Sequence, residues 1–328
     1  MDSKLRVGTR KVSTIVVGLT LVAALVGGCS TDSNTAGPTT GRTPEPTLGS
    51  EADCRSFGGE TVEAVAWSSG GNFLAVSTSS DADGQGRIRV FRWPEMNLVS
   101  QAQTDVLAAD DAAIDDAGSV YWFTWDPMAD GDSARQLWKL AAGGAAMTVG
   151  GPMAVGPYVG LVWAGGGLIS MESDQGSPER SRLVRIDIAH TDAKPIGVTE
   201  WTTRLWSTFW ADRSGEWIVW DEYDEAGAPQ DFVVQHDGQR RVVRPPGYGG
   251  QQMTLSPDRT ALIYQRSETA RLTVLDLKSG QITGELSPLE FYGGEVSSAG
   301  ILAGLTAHGP GEPNRLCLQD VGDQLRSS

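Results

Sequence analysis

Leu255-Ser256-Pro257-Asp258-Arg259-Thr260-Ala261-Leu262-Ile263-Tyr264, followed by Leu272-Thr273-Val274-Leu275-Asp276, decides the fold. An apolar stub ends in a turn of Ser, Pro and Asp. A second apolar run follows, and a third begins eight residues later. Short β-branched and aromatic runs separated by Gly, Pro and Asp are the grammar of strands and tight turns. The same unit returns along the chain as Trp67-Ser68-Ser69-Gly70-Gly71-Asn72-Phe73 and as Ile114-Asp115-Asp116-Ala117-Gly118-Ser119-Val120. It appears again as Trp163-Ala164-Gly165-Gly166-Gly167-Leu168 and Trp210-Ala211-Asp212-Arg213-Ser214-Gly215-Glu216-Trp217, and in shortened form as Val296-Ser297-Ser298-Ala299-Gly300-Ile301. The anchors at 67, 114, 163, 210, 255 and 296 advance in steps of 41 to 49 residues.

A second anchor keeps the same step. Arg87, Arg135, Arg182, Arg271 and Arg315 each open a short apolar run, and Asp231 fills the fourth slot. Two anchors sharing one period define a repeat of four short strands, which predicts an all-β propeller, since a lone blade cannot bury its faces and stacked blades bury each other's. Six anchors imply six blades. Seven is the alternative if the ends hide a further half-unit, and a two-sheet sandwich comes third. No stretch after residue 53 carries a helical period.

The fifth unit resembles the WD40-like repeat of TolB-type propellers, and the resemblance as a whole covers roughly residues 60–320. The Gly-His and Trp-Asp dipeptides of true WD40 repeats are missing from their usual places; Trp220-Asp221 ends a second strand instead. The resemblance implies a fold more firmly than a function.

The N-terminus reads as an address label. Lys4, Arg6, Arg10 and Lys11 precede an uncharged apolar run from Ile15 to Gly28, too short for a membrane-spanning helix. Leu25-Val26-Gly27-Gly28-Cys29 resembles the bacterial lipobox, which implies a signal peptide over 1–28 and a diacylglyceryl-modified Cys29. Residues 29–52, rich in Ser, Thr, Pro and Gly and without an aromatic residue, read as a disordered tether, and 53–328 as the propeller. The expected location is the outer side of the cell membrane, with membrane contact through the lipid alone.

Cys54 and Cys317 then remain, an even pair suited to one disulfide in an oxidising compartment. The sixth unit is short, so residues around 52–58 are expected to supply its fourth strand and bring Cys54 beside Cys317. The formal charge of −15 argues against nucleic acid and anionic lipid headgroups as partners. His190, His236 and His308 are too scattered for a zinc site, and no nucleophile elbow or phosphate-cradling loop occurs, so no catalytic residue, metal or cofactor is assigned.

Acidic connections after the second strands contain Asp81, Asp83, Asp126, Asp130, Asp132, Asp174, Asp221 and Asp224. They read as hairpin-turn residues, since the distal bidentate Glu of a calcium loop is absent in each. They share one rim with Tyr158, Trp201, Trp206, Tyr248 and Tyr292, which precede or open first strands. The aromatics are either wedges between blades or a ring about the channel mouth. Tyr158, Trp201, Trp206, Tyr248, Tyr292, Asp126, Asp174, Asp221 and Asp224 are thus the candidate binding face, suited to a cationic or sugar-like surface on an envelope protein or glycan. A non-enzymatic binding or scaffold role is the first reading. A propeller lyase or hydrolase acting on carbohydrate or peptide is the second.

Overall fold

The computed structural model describes residues 53–80, 85–105, 112–125, 134–151, 153–154, 160–174, 176–189, 196–203, 205–212, 214–223, 229–266, 272–286, 291–306 and 312–327. Its first strand, β1 (Asp53–Arg55), belongs to the last blade. The first blade is β2 (Thr61–Trp67), β3 (Phe73–Ser80), β4 (Gln85–Arg92) and β5 (Asn97–Asp105). The second is β6 (Ala112–Ile114), β7 (Val120–Trp125) and β8 (Ala134–Leu140), with an outer strand split into β9 (Ala146–Thr148) and β10 (Met153–Ala154). The third holds β11 (Leu161–Ala164), β12 (Gly167–Asp174), β13 (Ser177–Ile186) and β14 (Ile196–Gly197). The fourth holds β15 (Leu205–Ala211), β16 (Trp217–Tyr223), β17 (Pro229–His236) and β18 (Gln239–Val243). The fifth holds β19 (Tyr248–Leu255), β20 (Ala261–Arg266), β21 (Leu272–Asp276) and β22 (Ile282–Leu286). The sixth is β23 (Phe291–Val296), β24 (Ile301–Thr306) and β25 (Arg315–Asp320), completed by β1.

Each innermost strand lies against the next, and β23 returns to β2, so the fold is a six-bladed β-propeller. Every repeat anchor falls at or next to the end of an inner strand, which is why one period ran through the sequence.

Side chains along a strand point alternately to its two faces, so each strand feeds two different joints between blades. On β7, Val120 and Trp122 join the core between blades one and two, while Tyr121 and Phe123 join the core between two and three. On β16, Ile218 and Trp220 pack toward the third blade and Val219 toward the fifth. The six hydrophobic clusters correspond one to one with the six joints. Burying each large side chain contributes about 1.5–3 kcal/mol, and those terms are collected only when neighbouring blades meet. A single blade therefore has no core of its own.

The Ser or Asp after each anchor closes the first hairpin of its blade. Ser68 Oγ accepts from Phe73 N–H (3.0 Å), Asp115 Oδ1 from Ser119 N–H (2.7 Å) and Asp212 Oδ1 from Trp217 N–H (2.9 Å). Ser256 Oγ and Ser297 Oγ do the same for Ala261 (2.9 Å) and Ile301 (3.1 Å). The third blade has neither residue there. It turns instead through Gly165 and Gly166, both at positive φ (59° and 77°), as the tightest hairpin loops require.

The ring closes where the sequence predicted. Cys54 sits opposite Cys317 in the β1–β25 register, and the two sulfurs are bonded. Val62 N–H also donates to Asn314 C=O (3.1 Å), tying the first blade to the sixth.

Two features differ from expectation. The outer strand of the second blade is in two pieces, the first ending at Thr148 and the second starting at Met153. A short helix, α1 (Gly322–Ser327), follows β25, its first N–H capped by Asp320 Oδ1 (2.9 Å) and Leu325 packed on the core between blades five and six. Six residues are too few to show a helical period, and tertiary packing holds them.

The joint between blades one and two also carries unusual polarity. Ser100 Oγ, Thr104 Oγ1 and Trp122 Nε1 are buried without a hydrogen-bond partner. Ser100 pairs with Val90 and Thr104 with Gly86 across β4, which puts both hydroxyls on the face that meets the second blade.

Candidate functional site

The face bearing the connections from second to third strands is where the sequence placed an acidic rim. At that end of the blades the carboxylates meet arginines. Glu172 and Arg182 stand opposite each other in the β12–β13 register and are joined at 2.7 Å, with the Arg182 guanidinium lying 4.4 Å from the centre of the Trp201 ring. Asp174 faces Arg180 at 3.6 Å. In the first blade Glu60 takes Arg89 (2.7 Å), Arg87 and the Thr78 hydroxyl (2.7 Å). Burial alone would raise the Glu60 carboxyl, but the hydrogen bonds from Arg89 and Thr78 and the charges of Arg89 and Arg87 hold it below its usual range.

The fourth blade reaches the same result with reversed parts. Asp231 occupies the slot that is arginine elsewhere in the repeat, and Arg244 comes to it from beyond β18 (2.8 Å). Glu222 binds Arg240 at 2.5 Å and the Trp220 indole N–H at 3.0 Å. The repeat's arginine is thus more than a strand opener: in the first and third blades it neutralises a neighbouring glutamate.

Two members of the candidate face are corrected. Tyr248 and Asp221 are buried, at 8% and 0% exposure, and are bonded to each other at 2.7 Å. The Tyr248 ring is a wedge between the fourth and fifth blades, 4.2 Å from the Phe232 ring centre and 5.9 Å from that of Tyr264. Burial first, then the charge and hydrogen bond of Asp221, push its phenol well above the ordinary range. Asp174 and Trp201 remain at the surface, each beside an arginine. Trp206 and Tyr292 lie within the inner strands β15 and β23. Cys29, the tether, Asp126, Tyr158 and Asp224 lie outside the described residues, as do Asp81, Asp83, Asp130, Asp132, His190 and His308. Among the described residues no group of three or more His, Cys, Asp or Glu is placed to hold a metal ion.

A further carboxyl, missed from the sequence, stands on the inner ring. Glu295 is the fifth residue of β23, near the tight-turn end. Its Oε2 accepts the backbone N–H of Trp67 on β2 (2.7 Å), and its carboxyl also accepts from the side chain of Trp210 on β15. Three blades are tied through one side chain. Burial pushes this carboxyl up to about 7, against the opposing pull of the two N–H donors. The only signal in sequence is a single Glu within an otherwise uncharged strand, Phe291-Tyr292-Gly293-Gly294-Glu295-Val296.

No family model matches the chain, and no curated protein matches it in sequence. Solved structures match in fold. TolB from Acinetobacter baumannii superposes with a TM-score of 0.52 at 12% identity, over 67% of this chain and 53% of TolB. The Cps50 (Swd1) β-propeller domain of Myceliophteria thermophila gives 0.48 at 9% identity, over 81% and 98%. Hsv2 of Kluyveromyces lactis gives 0.48 at 9%, over 75% and 71%. The chain spans about half the length of the TolB structure it matches, and at this identity the likeness is one of β-propeller fold alone.

Proposed function

We propose that this chain is a lipid-anchored protein of the outer side of the cell membrane, whose propeller is a non-enzymatic scaffold that binds a partner on the loop-bearing face. The observation that carries the reading is the Cys54–Cys317 bridge. Structural disulfides persist in oxidising compartments, and this one lies directly after the stretch that reads as a lipobox cysteine and tether. A rigid ring held at one corner suits a docking platform, since long connections on a rigid scaffold are where recognition residues collect. The paired carboxylates alter the expected chemistry of that face. Among its described residues, arginines stand beside the carboxylates, with the Arg182–Trp201 stack among them.

The test has two arms. Labelled fatty acid should enter the wild-type protein in cells and fail to enter Cys29→Ala. Crosslinking the anchored protein should then recover one recurring partner, reduced by Arg182→Ala with Trp201→Ala. Unlabelled wild-type protein would overturn the anchor, and capture indifferent to the double variant would overturn the face.

A further inference from the structure

The six inner strands β2, β6, β11, β15, β19 and β23 surround the axis. Across all six, the ionisable side chains other than tyrosine are Glu63 and Glu295, with no Lys, Arg or His. Outside the inner strands, the partly or fully buried Glu60, Glu172 and Glu222 each meet an arginine. Glu63 is engaged by the Ser79 hydroxyl. Glu295 receives two neutral N–H donors, from Trp67 and Trp210, and among the described residues no counter-ion.

The elements packed on β23 supply none. β24 has no ionisable residue. Tyr248 on β19 is committed to Asp221 (2.7 Å). Asp212, just beyond β15, is paired with Arg259 (2.9 Å). A carboxylate taken out of water without a cation is expensive, and such a group keeps its proton until a cation is supplied. Glu295 is nonetheless not fully enclosed: part of the residue remains exposed to solvent.

We propose that the tight-turn end of the channel is a receptor for one cationic group, an ammonium or guanidinium carried by a small amine or by a partner's side chain, with Glu295 as its counter-ion. Binding exchanges ions: the Glu295 carboxyl releases one proton to solvent, and the carboxylate that remains pairs with the incoming cation. The bond to Trp67 N–H holds the carboxyl in place throughout, and the Trp210 indole stands beside it. This site is independent of the lipid anchor and of the loop-bearing face.

The experiment uses the full chain with butylguanidinium, neutral butanol, and a blocked Gly-Arg-Gly peptide as probes. Butylguanidinium should raise Tm, butanol should not, and the rise should vanish in Glu295→Gln while surviving in Glu63→Gln. Affinity should weaken by up to about tenfold per pH unit below about pH 7, because the proton competes. Calorimetry of the wild type near pH 6 in buffers of different ionisation enthalpy should find proton release on binding. That measurement stands even if the variant folds poorly. Stronger response to the peptide than to butylguanidinium assigns the ligand to a partner side chain, and the reverse to a free amine. No Tm shift with either cation, an equal shift in Glu295→Gln, or binding without proton release overturns the proposal.

Discussion

The Tyr248 hydroxyl donates to Asp221 Oδ2 at 2.7 Å, from the first strand of the fifth blade to the second strand of the fourth. Hydrogen bonds to charged groups contribute about 1.5–3 kcal/mol. Tyr248→Phe keeps the ring between Phe232 and Tyr264 and removes that bond alone, so its urea midpoint should fall by an equivalent amount. Tyr248→Ala also opens a cavity and should cost about 3–5 kcal/mol. A Phe variant as stable as wild type would mean that the ring does all the work at this joint.

Glu295 makes stability depend on pH in an unusual direction. Its folded carboxyl titrates at about 7, against an unfolded value near 4.5. The folded state therefore holds more protons than the unfolded state between these limits, and stability falls as pH rises through that window. The contribution is complete below about pH 4.5 and lost above about pH 7, amounting to a few kcal/mol at about 1.4 kcal/mol per pKa unit. Glu295→Gln retains an acceptor for Trp67 N–H and should flatten this part of the Tm profile. An unchanged slope in the variant would place the titration elsewhere.

Cutting the Cys54–Cys317 bridge should cost about 2–5 kcal/mol. Cys54→Ala, or reduction of the wild type, should lower Tm and leave the far-ultraviolet spectrum that of a β protein, since the inner ring does not pass through the bond. Hydrogen exchange should accelerate in β1 and β25 before it does in β2. Thiol counting on the folded, unreduced protein should find both cysteines unreactive.

The orphaned hydroxyls between blades one and two predict gains. A buried polar group without a partner costs about 1–3 kcal/mol. Ser100→Ala and Thr104→Val should therefore raise Tm, and their effects should add, since four residues of one strand separate them by about 13 Å. Destabilisation in either variant would show that its hydroxyl is satisfied in solution.

The ring was legible because its period is local. Trp67, Ile114, Trp163, Trp210, Leu255 and Val296 end first strands or stand next to their ends, and the Ser or Asp beyond them closes a hairpin by a bond only five residues long or shorter. Cys54 could be matched to Cys317 because the sixth unit lacked a strand. The chemistry of the face was less legible. Whether Glu172 is free or paired depends on the register that sets Arg182 opposite it. Whether Asp221 faces solvent depends on Tyr248, 27 residues further on and in another blade. Glu295 depends on Trp67, 228 residues away. Composition reports how many acids there are, and only the fold reports which cation each one meets.

Asp53–Arg55 is among the first parts of the ring to be synthesised and the last to find its place. Its partner strand lies 263 residues downstream, so no nascent or truncated chain lacking Cys317 can complete the sixth blade. The bond is thus a receipt for a finished chain, written only when both ends are present and the blades between them are in order. A protein that leaves synthesis early, or loses its last blade to a protease before closing, carries Cys54 as a free thiol, the mark of an unfinished ring.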